Sequence, residues 1–176
     1  HVAGTIAAKG FNIDAHGMAP LAKIDSYDWL DNYSEIYNAA ATYSGEPGKI
    51  YISNHSYAFL CGWSRNNSNS PWVWNGSGTD NNGIETLFGR YDVHARETDD
   101  IAFQTPYHLM FWAAGNDRSD TPAQGANVQL HLPDDATTTY NSAIHPPGDS
   151  VYRGGYETIS CNAVGKNIIT VGAVKD

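Results

Sequence analysis

An α/β fold built on a mostly parallel sheet is predicted by three observations. Residues 109–114 and 167–174 are near-continuous apolar runs of strand length, the pattern of strands buried on both faces. A helical segment with apolar residues on one face is closed by Gly45 and Pro47. Helix-like and strand-like segments alternate along the chain, which favours strands joined by crossovers. At 176 residues the chain can bury one substantial core, and residues 1–176 are read as a single domain or most of one.

The elements follow in order. Residues 1–8 carry small and aliphatic side chains (Val2, Ala3, Ile6, Ala7, Ala8), which suits a buried helix packed closely on a sheet and stopped by Gly10. After the turn-rich His16-Gly17-Met18-Ala19-Pro20, residues 21–27 read as a strand on weak alternation at Leu21, Ile24 and Tyr27. Asn32 with Glu35 three positions later forms a capping box, and Ile36, Ala39, Ala40 and Tyr43 then share one helical face. Residues 49–53, rich in Ile and Tyr, read as a strand. Residues 61–89 are dominated by Asn, Ser, Gly and Trp without periodicity and read as a long surface excursion. A helix over 93–103 leads into the apolar strand at 109–114, and 167–174 is the last strand. In such a sheet the chemistry sits at the strands' carboxyl ends, which directs attention to residues 54–58 and 113–116.

Composition removes several classes of function. With 19 acidic against 10 basic residues the net charge is −9, and no Lys/Arg cluster offsets it locally, so a nucleic-acid partner is not expected. No apolar run approaches the roughly 18 residues of a membrane span. The 11 Tyr and 5 Trp among many Asn, Gly and Ser match the composition of secreted or cell-envelope hydrolases. Seven histidines (His1, His16, His55, His94, His108, His131, His145) show no paired spacing of the HExxH kind, so no zinc site is assigned. No Gly-x-Gly-x-x-Gly opens a helix after a strand, so no dinucleotide site is assigned either. Structural calcium stays open as a cofactor without a ligand set. The Asp and Asn clusters at residues 79–82 and 117–120 are more simply solvated turns, since neither has a calcium-loop pattern. Cys61 and Cys161 are too far apart in sequence for a metal knuckle or a CxxC redox pair, which leaves two inert buried thiols or one long-range bridge.

Short motifs narrow the reading further. His1-Val2-Ala3-Gly4-Thr5 matches the second half of a H-G-T-H-V-A-G-T signature. Gly17-Met18-Ala19-Pro20 fits a G-V/M-A-P-x-A segment, and Asn54-His55-Ser56-Tyr57-Ala58 fits N-x-S-L/W-G with Ala58 in place of the usual Gly. Ala113-Ala114-Gly115-Asn116 fits A-A-G-N; Thr158-Ile159-Ser160 and the strand from Asn167 fit a T-I-S/Y-P-A and an N-x-I-T-V-G-A segment. Collinear from residue 1 to 174, these matches make the chain resemble the central part of a catalytic domain of the subtilisin-like serine peptidases, the subtilases.

The resemblance implies a three-layer subtilisin-like α/β fold, incomplete, with a mostly parallel sheet flanked by helices. It also implies a serine endopeptidase working through an acyl-enzyme in the complete protein. The general base would lie three positions before His1 and the orienting acid farther upstream. The nucleophile belongs to a G-T-S-M-A-x-P segment that has no match here, so this chain alone is expected to be inactive. Asn116 would donate to the oxyanion, because a neutral amide stabilises developing charge without acting as a competing base. An extended polypeptide substrate would pair with Ser56, Tyr57 and Ala58, the β-carbon of Ala58 narrowing its approach. Ala113, Ala114, Gly115 and the segment near Ala163 would wall the specificity pocket. The same mapping puts Cys61 and Cys161 at the rim of one cavity and so implies a disulfide between them. The partners implied are a polypeptide and the remaining parts of the catalytic domain, with no nucleic acid and no membrane. The alternative is a subtilase-like peptide-binding module without catalysis, which a H-G-T before His1 and a G-T-S after Asp176 would exclude.

Overall fold

The structure, a computed structural model, describes residues 1–76, 85–130, 137–154 and 156–173. Two compact units divide the chain, His1–Ala39 and Ala40–Asp176.

In the first unit, helix α1 spans Val2–Ala7 and buries none of its residues, which corrects the expectation of a buried helix. Four of its six residues are Ala, Gly or Thr, which leaves little apolar area to be covered. The Gly17-Met18-Ala19 segment closes its end. The N–H groups of Gly17, Met18 and Ala19 donate to the carbonyls of Ala8, Thr5 and Ile6 at 2.8, 3.1 and 2.7 Å, meeting acceptors that a helix end leaves open. A β-carbon on Gly17 would stand 2.5 Å from the Ala8 nitrogen, so only glycine fits there. Residues 21–27 form no strand. Leu21 is 94% exposed, and with nothing to pair against, a weak alternation makes no sheet. Helix α2 spans Asn32–Ala39, shorter than the apolar face suggested, so Ala40 and Tyr43 lie beyond it. The chain enters it through Asp31, at φ 54, whose carbonyl and carboxylate accept from Glu35 N–H and Ser34 Oγ. Asn32 is the first helical residue and not the cap.

Among the described residues, the second unit holds two sheets. Strands β1 (Ile52–His55), β4 (Leu109–Ala113) and β7 (Ile169–Val171) form a parallel sheet in the order β1-β4-β7. Strand β1 starts later than the Ile/Tyr pattern suggested. Strand β7 covers only the middle of the expected run, and Val174 lies outside the described residues. Helix α3 (Val93–Gln104) precedes β4 as expected, capped by Asp92, whose carboxylate accepts from the N–H groups of His94 and Ala95.

The described residues of 61–89, which are 61–76 and 85–89, are not a plain surface excursion. They contribute β2 (Trp63–Ser64) and β3 (Trp72–Trp74), which join β5 (Asn127–Gln129) and β6 (Thr137–Thr139) in a mixed sheet ordered β2-β3-β5-β6. Cys61, Trp63, Trp74, Phe88, Val128 and Tyr140 pack together as its core. Two or three residues per strand suffice because each tryptophan supplies the apolar area of several smaller side chains. Residues 79–82 lie outside the described residues, as does His131. The architecture is the α/β class read from the sequence: a parallel sheet with helices, here joined by a second mixed sheet.

Candidate active site

Parallel strands deliver their carboxyl ends to one side of a sheet. The register pairs Ile52 with Leu109 and His55 with Trp112. Ser56, Tyr57 and Ala58 therefore leave β1 beside the point where Ala113 and Ala114 lead out of β4. The Ala114 N–H donates to the Val171 carbonyl at 2.9 Å and carries the β4–β7 ladder one residue further. At Gly115 the backbone takes φ +103, open in practice only to glycine, and turns into Asn116. Asn116 is exposed at the head of the short 3₁₀ helix Asp117–Ser119 and makes no side-chain capping bond, so its amide is uncommitted to the helix it precedes.

A cavity of about 260 Å³ opens on this sheet between β1 and β4, lined by Asn54, Ser56, Phe111, Ala113 and Val171 among others. Of the residues expected to meet substrate, Ser56 and Ala113 line it. Tyr57, Ala58, Ala114 and Gly115 follow the same strand ends. Ala163 is not at the cavity wall: it is buried in the 3₁₀ helix Cys161–Val164, where its carbonyl accepts from Thr170 Oγ1 at 2.5 Å.

Behind the segment lies a network that the motif reading passed over. Ser53 Oγ is 2.7 Å from His55 Nε2, and His55 Nδ1 is 2.9 Å from the Tyr57 hydroxyl. The imidazole stacks on Trp112, centroids 4.3 Å apart at 14°, and Trp112 Nε1 donates to the Tyr57 carbonyl at 3.1 Å. Burial, aided by His108, pushes His55 down to about 4, so the ring is neutral near pH 7. Its only sequence signal was the spacing Ser53, His55, Tyr57, which alternation places on one face.

The Subtilase family model matches residues 1–176. The chain belongs to the subtilase family. That family is one of serine peptidases, and this coarse assignment applies to the chain. No curated protein and no solved structure matches it.

In this subtilase the acidic residues after Asn116 are partly buried. Burial, then Asp120, raises Asp117 to about 6, and burial raises Asp120. Asp149, fully buried, is raised to about 8 by burial, with Asp117, Asp120 and Glu85 adding to the effect and the Trp63 N–H opposing it. Among the described residues no group of three His, Cys, Asp or Glu side chains stands together as a metal site. Cys61 and Cys161 stand as free buried thiols, where the resemblance implied a bridge. Cys61 is packed into the tryptophan core, and each sulfur has its own acceptor, Phe59 O and Asn162 Oδ1.

Proposed function

We propose that the complete protein is a secreted or cell-envelope serine endopeptidase that cleaves polypeptides through an acyl-enzyme. A serine hydroxyl attacks the peptide carbonyl, a histidine relays the proton and an aspartate orients the histidine, all three from segments that have no match in this chain. Asn116 and a backbone N–H donate to the tetrahedral oxyanion. The substrate lies extended, pairing with Ser56, Tyr57 and Ala58 on one side and meeting Ala113, Ala114 and Gly115 on the other. One observation carries this reading: the β1–β4 register brings the N-H-S-Y-A and A-A-G-N segments to the same end of one sheet, next to a cavity.

The test is Asn116→Ala in the complete protein. Turnover (kcat) should fall by roughly 10²–10³ with KM nearly unchanged, because the donor acts mainly in the transition state. The 176-residue chain by itself, as control, should release nothing from a peptide anilide. An unchanged kcat in a folded variant removes Asn116 from the site.

A further inference from the structure

We propose that His55 is a positioning residue of the substrate-pairing segment: together with Ser53 and Trp112 it fixes Tyr57, and so presents the backbone of Ser56 and Ala58 outward. The proposal rests on reading residues 56–58 as the segment that pairs with the substrate.

The β1–β4 ladder ends at the pair His55 and Trp112. Ser56, Tyr57 and Ala58 lie beyond it, in no strand, and Ser56 and Ala58 are exposed. Strand pairing with a substrate needs their backbone groups held in a fixed direction, and side chains must supply that hold. Two routes converge on Tyr57. One runs from Ser53 Oγ through the imidazole to the Tyr57 hydroxyl, with contacts of 2.7 and 2.9 Å. The other runs from the imidazole face to the stacked Trp112 ring, whose Nε1–H donates to the Tyr57 carbonyl at 3.1 Å. Trp112 is fully buried, which leaves its indole little freedom to follow a moving segment.

The directions then follow from backbone geometry. In an extended segment the N–H and C=O of one residue point to one side and those of its neighbours to the other. With the Tyr57 carbonyl held by Trp112, an extended course through residues 56–58 would present the polar backbone groups of Ser56 and Ala58 on the other side, where an incoming strand would pair. A neutral imidazole suits the junction because it donates from one nitrogen and accepts at the other, while both hydroxyl partners can do either. A hydrophobic side chain would fill the same space and hold neither end.

Acetyl-tetraalanine amide, titrated into the 176-residue chain and followed through the Ser56 and Ala58 amide resonances, tests this. The wild type should show saturable shifts. His55→Leu, which keeps the bulk and removes both hydrogen bonds, should bind about tenfold more weakly, and His55→Gln, which keeps a donor and an acceptor, should recover most of the loss. Equal binding by His55→Leu, or no recovery by His55→Gln, overturns the proposal. Should His55→Leu not fold, Tyr57→Phe decides: removing that one hydroxyl should weaken binding severalfold, and wild-type affinity overturns the proposal. If the wild type shows no saturable shift, the assignment of residues 56–58 to substrate fails, and this inference fails with it. Binding that is indifferent to the variants sinks the inference alone.

Discussion

A thiol reacts through its thiolate, so the environment of each cysteine decides its chemistry. Burial, then proximity to Cys161, pushes Cys61 up to about 12, and burial pushes Cys161 up to about 11. Both residues are nearly inaccessible, at 1% and 3% exposure. Titration of the denatured, unreduced protein should therefore find two free thiols per chain, and the native protein should react with a disulfide reagent only slowly. A yield of no thiols would restore the bridge and place the two sulfurs in contact across the rim of the pocket. Gly115 shows the same dependence on surroundings at the backbone. Its left-handed conformation turns the chain out of β4 into Asn116, so the position of a proposed oxyanion donor depends on a neighbour with no side chain.

At the scale of elements, α3 and the turn into β7 are joined by one carboxylate. Asp99, 7% exposed on α3, accepts the Lys166 N–H at 2.8 and 3.0 Å, the Asn167 N–H at 2.8 Å and the Tyr91 hydroxyl at 2.8 Å. These are charge-assisted bonds to a buried anion, so the turn after Cys161–Val164 is held by a residue about seventy positions earlier. Asp99→Asn keeps the shape but sets an N–H₂ against backbone donors. It should cost about 2–3 kcal/mol in urea unfolding of the second unit, while Tyr91→Phe should cost about 1. Asp99→Asn with wild-type stability would show that β7 is placed by its pairing with β4 alone.

At the scale of the whole molecule, the two sheets of the second unit respond to pH in opposite senses. His55 is held below its unfolded value of 6.5, at about 4, so the unfolded chain takes up the proton first. Stability from this group is complete above pH 6.5 and is lost as the pH falls toward 4. A displacement of that size in a side chain 5% exposed corresponds to about 3 kcal/mol. Asp149, in the segment that packs on the mixed sheet, is held above its unfolded value of 3.8, at about 8, so the folded chain keeps the proton longer. Its contribution is complete below pH 3.8 and is lost as the pH rises toward 8. Chemical denaturation across pH should separate the two. The stability of the wild type relative to His55→Gln should drop on acidification between pH 6.5 and 4, and relative to Asp149→Asn it should drop on alkalinisation between pH 3.8 and 8. A pH-independent difference for either variant would mean that its group titrates alike in both states.

The sequence by itself determined the α/β class, helix α3, strand β4 and the family. Each rests on local information: an apolar run for a strand buried on both faces, a helix-like stretch leading into it, and short motifs whose order survives any folding. It also singled out Asn116 and the 54–58 segment, because those residues are adjacent in the chain. Tertiary structure decided the rest. Residues 21–27 alternate weakly but find no partner strand, and pairing is a property of two segments. The stretch over 61–89 lacks periodicity, yet Trp63 and Trp74 close a core with Phe88, Val128 and Tyr140, residues that meet only once the mixed sheet forms. The place of Ala163 in a buried turn, its carbonyl accepting from Thr170 Oγ1, also came only with the structure. The His55 junction needed the β1–β4 register before Trp112 could be seen to stack on the imidazole, since contacts between residues more than fifty positions apart leave no periodic trace in the sequence.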